Sequence, residues 1–390
     1  MPPSSPILTP AFLQAAVGNF LFFTNLSAFF LLPLHLKELG ATEAQFGLIM
    51  GLYSATAIFC QPVVGAWVDR AGRRPFMVGG AAVAVAAALA FSAAPDALVL
   101  FPVLRILQGL AYSMYFVANF TVVVDLVPAD RRGEALGIFG VSGLISTAAG
   151  PALGEIVVRA FGFPVFFAAT AAVATAALLV SSRVEEPASL PRDDGEGLAG
   201  LVGAVLTAPR LPMALGFIFG LGLGTVFTFF PTHASALGVA RIGLFAVAYS
   251  LAAMGVRVFG GRLIDTLGRR PIIIPALGLQ AGAAALLAAG SPLVAWTGLS
   301  ALPIFILAGI MAGAAHGFLY PALTALVMDV TPEERRGRMI GVFSAFILAG
   351  NAAGAMCFGY LAHVLGYSVM FAVLTVCLGG ACVLAVRLPR

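Results

Sequence analysis

Residues 65–75 read GAWVDRAGRRP, and residues 261–271 read GRLIDTLGRRP. The two stretches share Gly, Asp, Gly and a final Arg-Arg-Pro at matching positions, and each lies between two long apolar runs. Other matched segments accompany them in the same order: Pro33 and His35 match Pro231 and His233, and Asp125, Pro128 and Arg131-Arg132-Gly133 match Asp329, Pro332 and Arg335-Arg336-Gly337. This ordered recurrence predicts a six-helix unit that the chain uses twice in the same orientation.

The composition predicts a chain that lies within a lipid bilayer. Hydrophobic residues make up 61% of the 390 residues and charged residues only 10%, whereas soluble domains carry about 25% charged residues. An α-helix needs about 20 apolar residues to cross the hydrocarbon core. The charge-poor windows therefore predict an all-α integral membrane protein with twelve transmembrane helices. The windows are approximately 11–34, 44–66, 75–93, 98–124, 134–158, 164–182, 211–230, 241–262, 272–290, 298–328, 338–362 and 366–386.

The basic residues predict the orientation. Most arginines fall in loops on one side of these windows, while Lys37, Arg159 and Arg241 fall on the other side. Because cytoplasmic loops are rich in Lys and Arg, we expect both termini to be cytoplasmic, in a bacterial inner membrane. No basic residue precedes the first apolar run, which favours a retained first helix over a cleaved signal peptide.

The repeat also predicts the domain organisation. We expect two pseudo-symmetric six-helix bundles, residues 1–182 and 211–390, joined by a cytoplasmic linker at residues 183–210 that is rich in acidic residues and proline. Within the linker, residues 198–206 are apolar enough to form a short surface helix.

No feature of the sequence indicates a cofactor, a metal site or enzymatic activity. Cys60, Cys357, Cys377 and Cys382 lie within apolar windows, and their spacing fits neither a disulfide framework nor a zinc site. A GxxxxGK[ST] nucleotide-binding motif is absent, so we expect no ATPase activity. The net charge of +4 follows from the loop arginines and suggests no nucleic-acid partner. The expected partners are a small-molecule substrate and the bilayer, with protons left open, and we expect a monomer.

Three motifs resemble a known family. The stretch Gly65 to Arg74 resembles the signature loop between helices 2 and 3 of the major facilitator superfamily, and residues 261–270 resemble its weaker copy between helices 8 and 9. Arg105-Ile-Leu-Gln108-Gly109 resembles the helix 4 motif of this family, and Gly150-Pro151-Ala-Leu-Gly154 resembles the helix 5 motif of its drug-exporting antiporters. The resemblance implies a secondary transporter that works by alternating access.

The signature loop predicts a gate on the cytoplasmic side. We expect Gly65 to permit a close approach by a neighbouring helix, and Asp69 to pair with Arg73 and face a helix N-terminus. Alternatively, the arginines only set the topology. The predicted gating residues of the two loops are Gly65, Asp69, Arg70, Gly72, Arg73, Asp265 and Arg269.

The helix 5 motif has a mechanical meaning of its own. Pro151 removes a backbone donor and should bend the helix, while Gly150 and Gly154 permit close packing. The matching Gly354-Ala355 lacks the proline, so we expect the halves to move unequally.

The fourth predicted helix carries a polar stripe. Arg105, Gln108, Tyr112, Tyr115 and Asn119 share one helical face. An arginine facing lipid would cost at least about 2.5 kcal/mol, so this face should look into the protein. Substrate binding or coupling is one interpretation, and a hydrogen-bond network between helices is the other.

The second half offers fewer polar candidates inside its windows. His316, with Tyr320 one turn away, is either a proton carrier near neutral pH or a neutral core residue. Arg257 lies within the eighth window, where a substrate anion, a carboxylate partner or helix-end carbonyls would satisfy it. Its interpretation is divided between a functional residue and an interhelical lock.

One carboxylate lies clearly inside a window. Glu155 is four residues before Arg159, so an ion pair along the helix explains it as well as proton coupling does. Proton-coupled exporters of the superfamily that this chain resembles often carry an acidic residue in helix 1. Here the first helix offers Gln14, Asn19 and Asn25 but no acidic residue, which weakens the case that the resemblance makes for proton antiport.

These observations favour an exporter of amphipathic compounds or metabolites, because the chain holds 31 Phe residues and resembles exporters in helix 5. A transporter of small organic anions is the first alternative, since Arg105 and Arg257 are embedded and only Glu155 could balance them. A membrane sensor that has lost transport is the second alternative.

Overall fold

The computed structural model describes residues 7–186 and 203–388, without residues 129–130, 261–262, 264–265 and 333–334 and without the side chain of Asp69. Within these ranges every regular element is helical. The helices are α1 (Pro10–Ala28), α2 (Leu32–Glu38), α3 (Glu43–Ala71), α4 (Arg74–Ala93), α5 (Phe101–Asp125), α6 (Arg132–Ser181), α7 (Arg210–Ala236), α8 (Gly243–Gly255), α9 (Arg270–Thr297), α10 (Leu302–Asp329) and α11 (Arg336–Ala385). Two 3-10 turns, Phe29–Leu31 and Leu98–Leu100, and a π-helix, Val256–Gly260, complete the series. The predicted linker lies mostly outside the described residues, as does most of its predicted surface helix.

Ten helical stretches of the described chain are long and apolar enough to cross a membrane. Two of them, α6 and α11, are each 50 residues long, or about 75 Å, which is more than twice the hydrocarbon thickness of about 30 Å. Each is broken by a glycine with left-handed backbone angles, Gly162 at φ 79° and Gly366 at φ 78°. The predicted twelve crossings require α6 and α11 to cross twice each.

Proline marks where several helices begin. It lies in the first turn of α1, α4, α5, α9 and α10, where its missing amide hydrogen leaves no helical bond unmade. Pro151 instead lies inside α6, and the backbone angles there stay helical, since the break in α6 falls at Gly162.

The chain divides into two compact units. Unit 1 comprises residues 1–29 and 59–195, and unit 2 comprises residues 30–58 and 196–390. In unit 1, α1 packs along α6, and α4 packs against both α5 and α6. A side chain at Gly150 would collide with Ser27 Oγ and the backbone of Ala28, so the glycine of the helix 5 motif brings two backbones into contact.

Unit 2 uses the same device at two helix pairs. Gly220 and Gly224 of α7 lie against the backbone carbonyls of Ile347 and Asn351 of α11. Gly313 of α10 lies against the carbonyl of Tyr249 of α8. Contact between backbones leaves little freedom for the helices to slide or rotate, and it fixes where the polar side chains of α8 and α10 meet.

Candidate functional site

Four polar side chains meet in unit 2 and form what we call the Arg257 cluster: Tyr249 of α8, Arg257 of the π-helix, and His316 and Tyr320 of α10. The Tyr249 hydroxyl lies 2.7 Å from His316 Nδ1, and Arg257 Nη2 lies 3.4 Å from His316 Nε2. The Arg257 guanidinium stands 6.0 Å from the centre of the Tyr320 ring. Arg257, His316 and Tyr320 are therefore brought together as one site.

The donors and acceptors of this cluster follow from its chemistry. A guanidinium can only donate, so His316 Nε2 accepts from Arg257 and the ring carries its hydrogen on Nδ1. That hydrogen is donated to the Tyr249 oxygen. The hydroxyl hydrogen of Tyr249 is then left to donate to a further acceptor.

Arg257 is half-buried, and its neighbours supply no negative charge. In the described part of the chain its partners are a neutral imidazole and an aromatic ring, and no carboxylate forms an ion pair with it. Among the described residues, His316 and Tyr320 contact Arg257 in place of the expected carboxylate partner or helix-end carbonyls. The residue also lies in a π-helix, a form that is rare and often found at functional sites.

Aromatic side chains line the Arg257 cluster. The Phe219 ring lies 5.5 Å from His316, and Phe227 meets Tyr249 edge-to-face at 5.0 Å. His316 and Tyr320 stack at 6.1 Å with an angle of 7° between their planes. Unit 2 therefore holds a cluster that contains a charged guanidinium and whose other members contact aromatic side chains.

The polar stripe of α5 divides into two parts in unit 1. At one end, Arg105 Nη1 donates to Gln108 Oε1 at 2.8 Å, and both side chains are buried. One turn further, Tyr112 lies in an aromatic group with Phe23 at 5.9 Å and Phe116 at 5.3 Å. This end of the stripe therefore holds a buried arginine–glutamine pair and, further along α5, a group of aromatic rings.

The other end of the stripe ties helices together. Tyr115 is fully buried and shares a hydrogen bond of 3.0 Å with Ser181 of α6. Asn119 donates to Asn19 Oδ1 at 3.4 Å, and Asn19 donates to Ser142 of α6 at 2.7 Å. These contacts favour the interpretation that Tyr115, Asn119 and Asn19 belong to a hydrogen-bond network between helices. Glu155 lies apart on α6, half-buried and four residues before the exposed Arg159.

The first arginine loop, residues 71–74, is held by carboxylates. Arg73 is buried and pairs with Asp125 at 3.1 Å. Glu186, just after α6, accepts hydrogen bonds from the backbone amides of Arg73 and Arg74 at 2.6 and 2.7 Å and so caps α4. Gly72 has φ 90°, and a Cβ there would lie 2.9 Å from Glu186 Oε1.

The second arginine loop, residues 267–270, repeats part of this design. Arg269 donates to Asp329 at 2.9 Å, and Arg270 donates to the carbonyl of Leu388 at 3.3 Å. Gly268 has φ 86°, and open space surrounds it.

Asp265 and the side chain of Asp69 lie outside the described residues. A Cβ on Gly65 would meet no described atom within 4 Å, so the described residues show no close helix approach at Gly65, and the expected approach stays a prediction.

A further polar group joins α2, α3 and α11 in unit 2, and we call it the Glu43 cluster. Glu43 accepts from the Tyr367 hydroxyl at 3.1 Å and lies 3.7 Å from His363 and 3.8 Å from Lys37. About three turns further along α3, Ser54 donates to Asn351 of α11 at 3.0 Å.

Sequence reasoning missed five of these residues. The recurrence of Asp125 as Asp329, beside recurring arginines, was the available signal for the two ion pairs. No such signal marked Tyr249, Glu43 and Glu186, because their hydrogen-bond partners His316, Tyr367 and Arg73 lie 67, 324 and 113 residues away. Among the described residues, no group of His, Cys, Asp and Glu could hold a metal ion.

The sequence model of the Major Facilitator Superfamily matches residues 15–299 and 283–390. The chain belongs to this superfamily. Staphylopine export protein from Staphylococcus aureus is 24% identical over 371 residues, covering 92% of this chain and 91% of that protein. Quinolone resistance protein NorA from the same species is 29% identical over 150 residues, covering 38% of this chain and 36% of NorA. The crystal structure of nucleoside transporter NupG has a TM-score of 0.75 at 14% identity, covering 98% of this chain and 100% of NupG.

Membership of the superfamily confirms the predicted family, the all-α membrane fold and the class of transporter. The chain is a multi-pass membrane transporter with relatives that act in efflux, and it is not an enzyme. Like other transporters of this superfamily, it binds a small-molecule substrate within a membrane.

Proposed function

We propose that this chain exports small amphipathic compounds by alternating access of two six-helix bundles, residues 1–182 and 211–390. The observation that carries the proposal is the Arg257 cluster, which combines the Arg257 guanidinium with His316 and Tyr249, two members that contact the aromatic rings of Phe219 and Phe227. A ligand site that is mostly apolar, with a few polar groups to fix orientation, suits an amphipathic molecule. Export as the direction of transport is supported by the similarity to staphylopine export protein, which extends over 92% of this chain.

The aromatic group around Tyr112 supports the same class of substrate. Phe23, Tyr112 and Phe116 contact one another through their rings, and Arg105 and Gln108 lie earlier on the same helix as Tyr112. Aromatic faces bind flat apolar groups and also attract cations.

Alternating access also needs contacts that can close either side. On the predicted outer side, the Glu43 cluster joins α3 to α11. On the predicted cytoplasmic side, the arginine loops pair with Asp125 and Asp329. We propose that the Glu43 cluster opens and closes during transport, while the two arginine pairs hold the helix ends of each half. Protons remain a candidate coupling ion, with His316 as the titratable group beside the solute.

The test is a thermal stabilisation screen of the purified protein in detergent. Flat amphipathic compounds that are cationic, neutral and anionic would be compared with hydrophilic solutes such as xylose. A ligand present at 100 times its dissociation constant should stabilise the protein by about 2.7 kcal/mol. We expect stabilisation by amphipathic compounds that is weakened by Phe227→Ala. Stabilisation by hydrophilic solutes alone would contradict the proposal.

A further inference from the structure

The charge of the Arg257 cluster is unbalanced. Arg257 carries a permanent positive charge, and among the described residues its contacts are His316 and Tyr320, neither of which offers a negative charge. A charge at membrane depth is costly unless it is paired or solvated. Within the described residues, Arg257 therefore has no counter-ion at the place where the solute is proposed to bind.

The hydrogen bonds of the cluster also lack a final acceptor. Because Arg257 donates to His316 and His316 donates to Tyr249, each member passes its hydrogen in the same direction. The Tyr249 O–H group and the remaining N–H groups of Arg257 are still able to donate hydrogen bonds. The neighbouring Ser250 hydroxyl is buried and makes no hydrogen bond within the described chain. The cluster is rich in donors and poor in acceptors, as an anion-binding site is.

From these observations we infer that Arg257 and Tyr249 bind an anionic oxygen group of the substrate, with His316 as the positioning residue between them. The group is a carboxylate, sulfonate or phosphate attached to an aromatic or otherwise apolar body that rests on Phe219 and Phe227. This inference rests on the proposed function and names its substrate class as amphipathic anions. An inside-negative membrane potential would itself favour the exit of such a solute.

The backbone contacts explain why the donors stay aligned. Gly313 lets the backbones of α8 and α10 touch at Tyr249, and Gly317 lies against Val256, next to Arg257. His316 lies between these two glycines on α10. The distance from Tyr249 to Arg257 is therefore bridged by one imidazole, which holds both donors ready before the substrate arrives.

The test compares two probes that differ in charge and hardly in shape, naphthalene-2-sulfonate and naphthalene-2-sulfonamide. Binding to the purified full chain in detergent would be measured by calorimetry. A sulfonate stays ionised at every pH used, so any effect of pH belongs to the protein. We expect the sulfonate to bind about tenfold more tightly than the sulfonamide, because a charge-assisted bond is worth more than a neutral one.

Three variants locate the effect. Arg257→Gln should reduce sulfonate affinity to that of the sulfonamide, and Tyr249→Phe should weaken it by about fivefold through the loss of one donor. Arg241→Gln, an exposed arginine outside the cluster, should bind as the unchanged protein does. If Arg257→Gln fails to fold, Tyr249→Phe and Arg257→Lys still test the site, the latter keeping the charge and part of the affinity.

The outcomes separate this inference from the proposed function. Equal binding of the two probes, or unchanged sulfonate binding by Arg257→Gln, would overturn the anion site and leave amphipathic export standing. Failure of both probes to bind the unchanged protein would overturn the anion site, and failure of the whole amphipathic set in the stabilisation screen would overturn the proposed function as well.

Discussion

Arg73 in unit 1 and Arg269 in unit 2 occupy matching positions of the repeat and make the same ion pair, at 3.1 Å to Asp125 and 2.9 Å to Asp329. Their surroundings differ. The Arg73 side chain is 2% exposed and its loop is capped by Glu186, whereas the Arg269 side chain is 25% exposed. The embedded arginines differ even more, since Arg105 matches Gly309 and Arg257 matches Gln61 in the repeat. The repeat thus preserves the pairs that hold helix ends, while the groups proposed to meet the solute are particular to each half.

The largest expected difference between the two arginine loops is the effect of an arginine substitution on the free energy of unfolding. Arg73→Gln removes one partner of a buried pair and should lower the free energy of unfolding by about 3 kcal/mol. Arg269→Gln acts on a more exposed pair and should cost less than about 1 kcal/mol. Thermal and denaturant unfolding in detergent, followed by the fluorescence of Trp67 and Trp296, would measure both. Equal losses would show that the two loops are energetically alike.

The loop glycines provide a second, smaller contrast. Gly72→Ala and Gly268→Ala each place a side chain at positive φ, which costs about 1–2 kcal/mol. Only at position 72 would the new Cβ also meet a carboxylate, that of Glu186 at 2.9 Å. We expect Gly72→Ala to be the more destabilising by about 1 kcal/mol. In a Glu186→Ala background the excess should vanish, and its persistence would mean that Glu186 is not the cause.

The smallest expected effect concerns the Glu43 cluster. Glu43→Gln keeps an acceptor for the Tyr367 hydroxyl and loses the attraction to Lys37 and His363. Because the cluster is partly exposed, we expect a loss of about 0.5–1 kcal/mol. Glu38→Gln, a more exposed carboxylate beside His35, is the matched control and should change stability by less. A larger effect at Glu38 would remove the reason for assigning the cluster a closing role.

Much of the fold could be predicted from the sequence, because lipid imposes a simple rule on the chain. Long apolar runs must be helices, and the recurrence of GAWVDRAGRRP as GRLIDTLGRRP shows the repeat directly. The predicted windows also end and begin again near Gly162 and Gly366, where the structure breaks α6 and α11. That one glycine with positive φ makes each break was less visible, since nothing in the sequence distinguishes these two among the 45 glycines.

The site was predictable only in part. Arg257, His316 and Tyr320 stand out because polar residues are rare in apolar windows, but their meeting with Tyr249 depends on the contact of α8 and α10 through Gly313. Helical spacing places Tyr115 and Asn119 on one face with Arg105, yet it cannot show that their hydrogen bonds are filled by Ser181 and Asn19. Which polar residues of a helical face are used in hydrogen bonds between helices depends on side chains that lie far along the chain.

Arg257 is the residue that we propose to contact the transported solute most directly. The deciding measurement is efflux of naphthalene-2-sulfonate from loaded proteoliposomes, with an inside-negative potential set by potassium and valinomycin. We predict saturable efflux by the unchanged protein and by Arg241→Gln, accelerated by the potential and reduced about tenfold in Arg257→Gln. Efflux by Arg257→Gln at the rate of the unchanged protein would contradict the central claim.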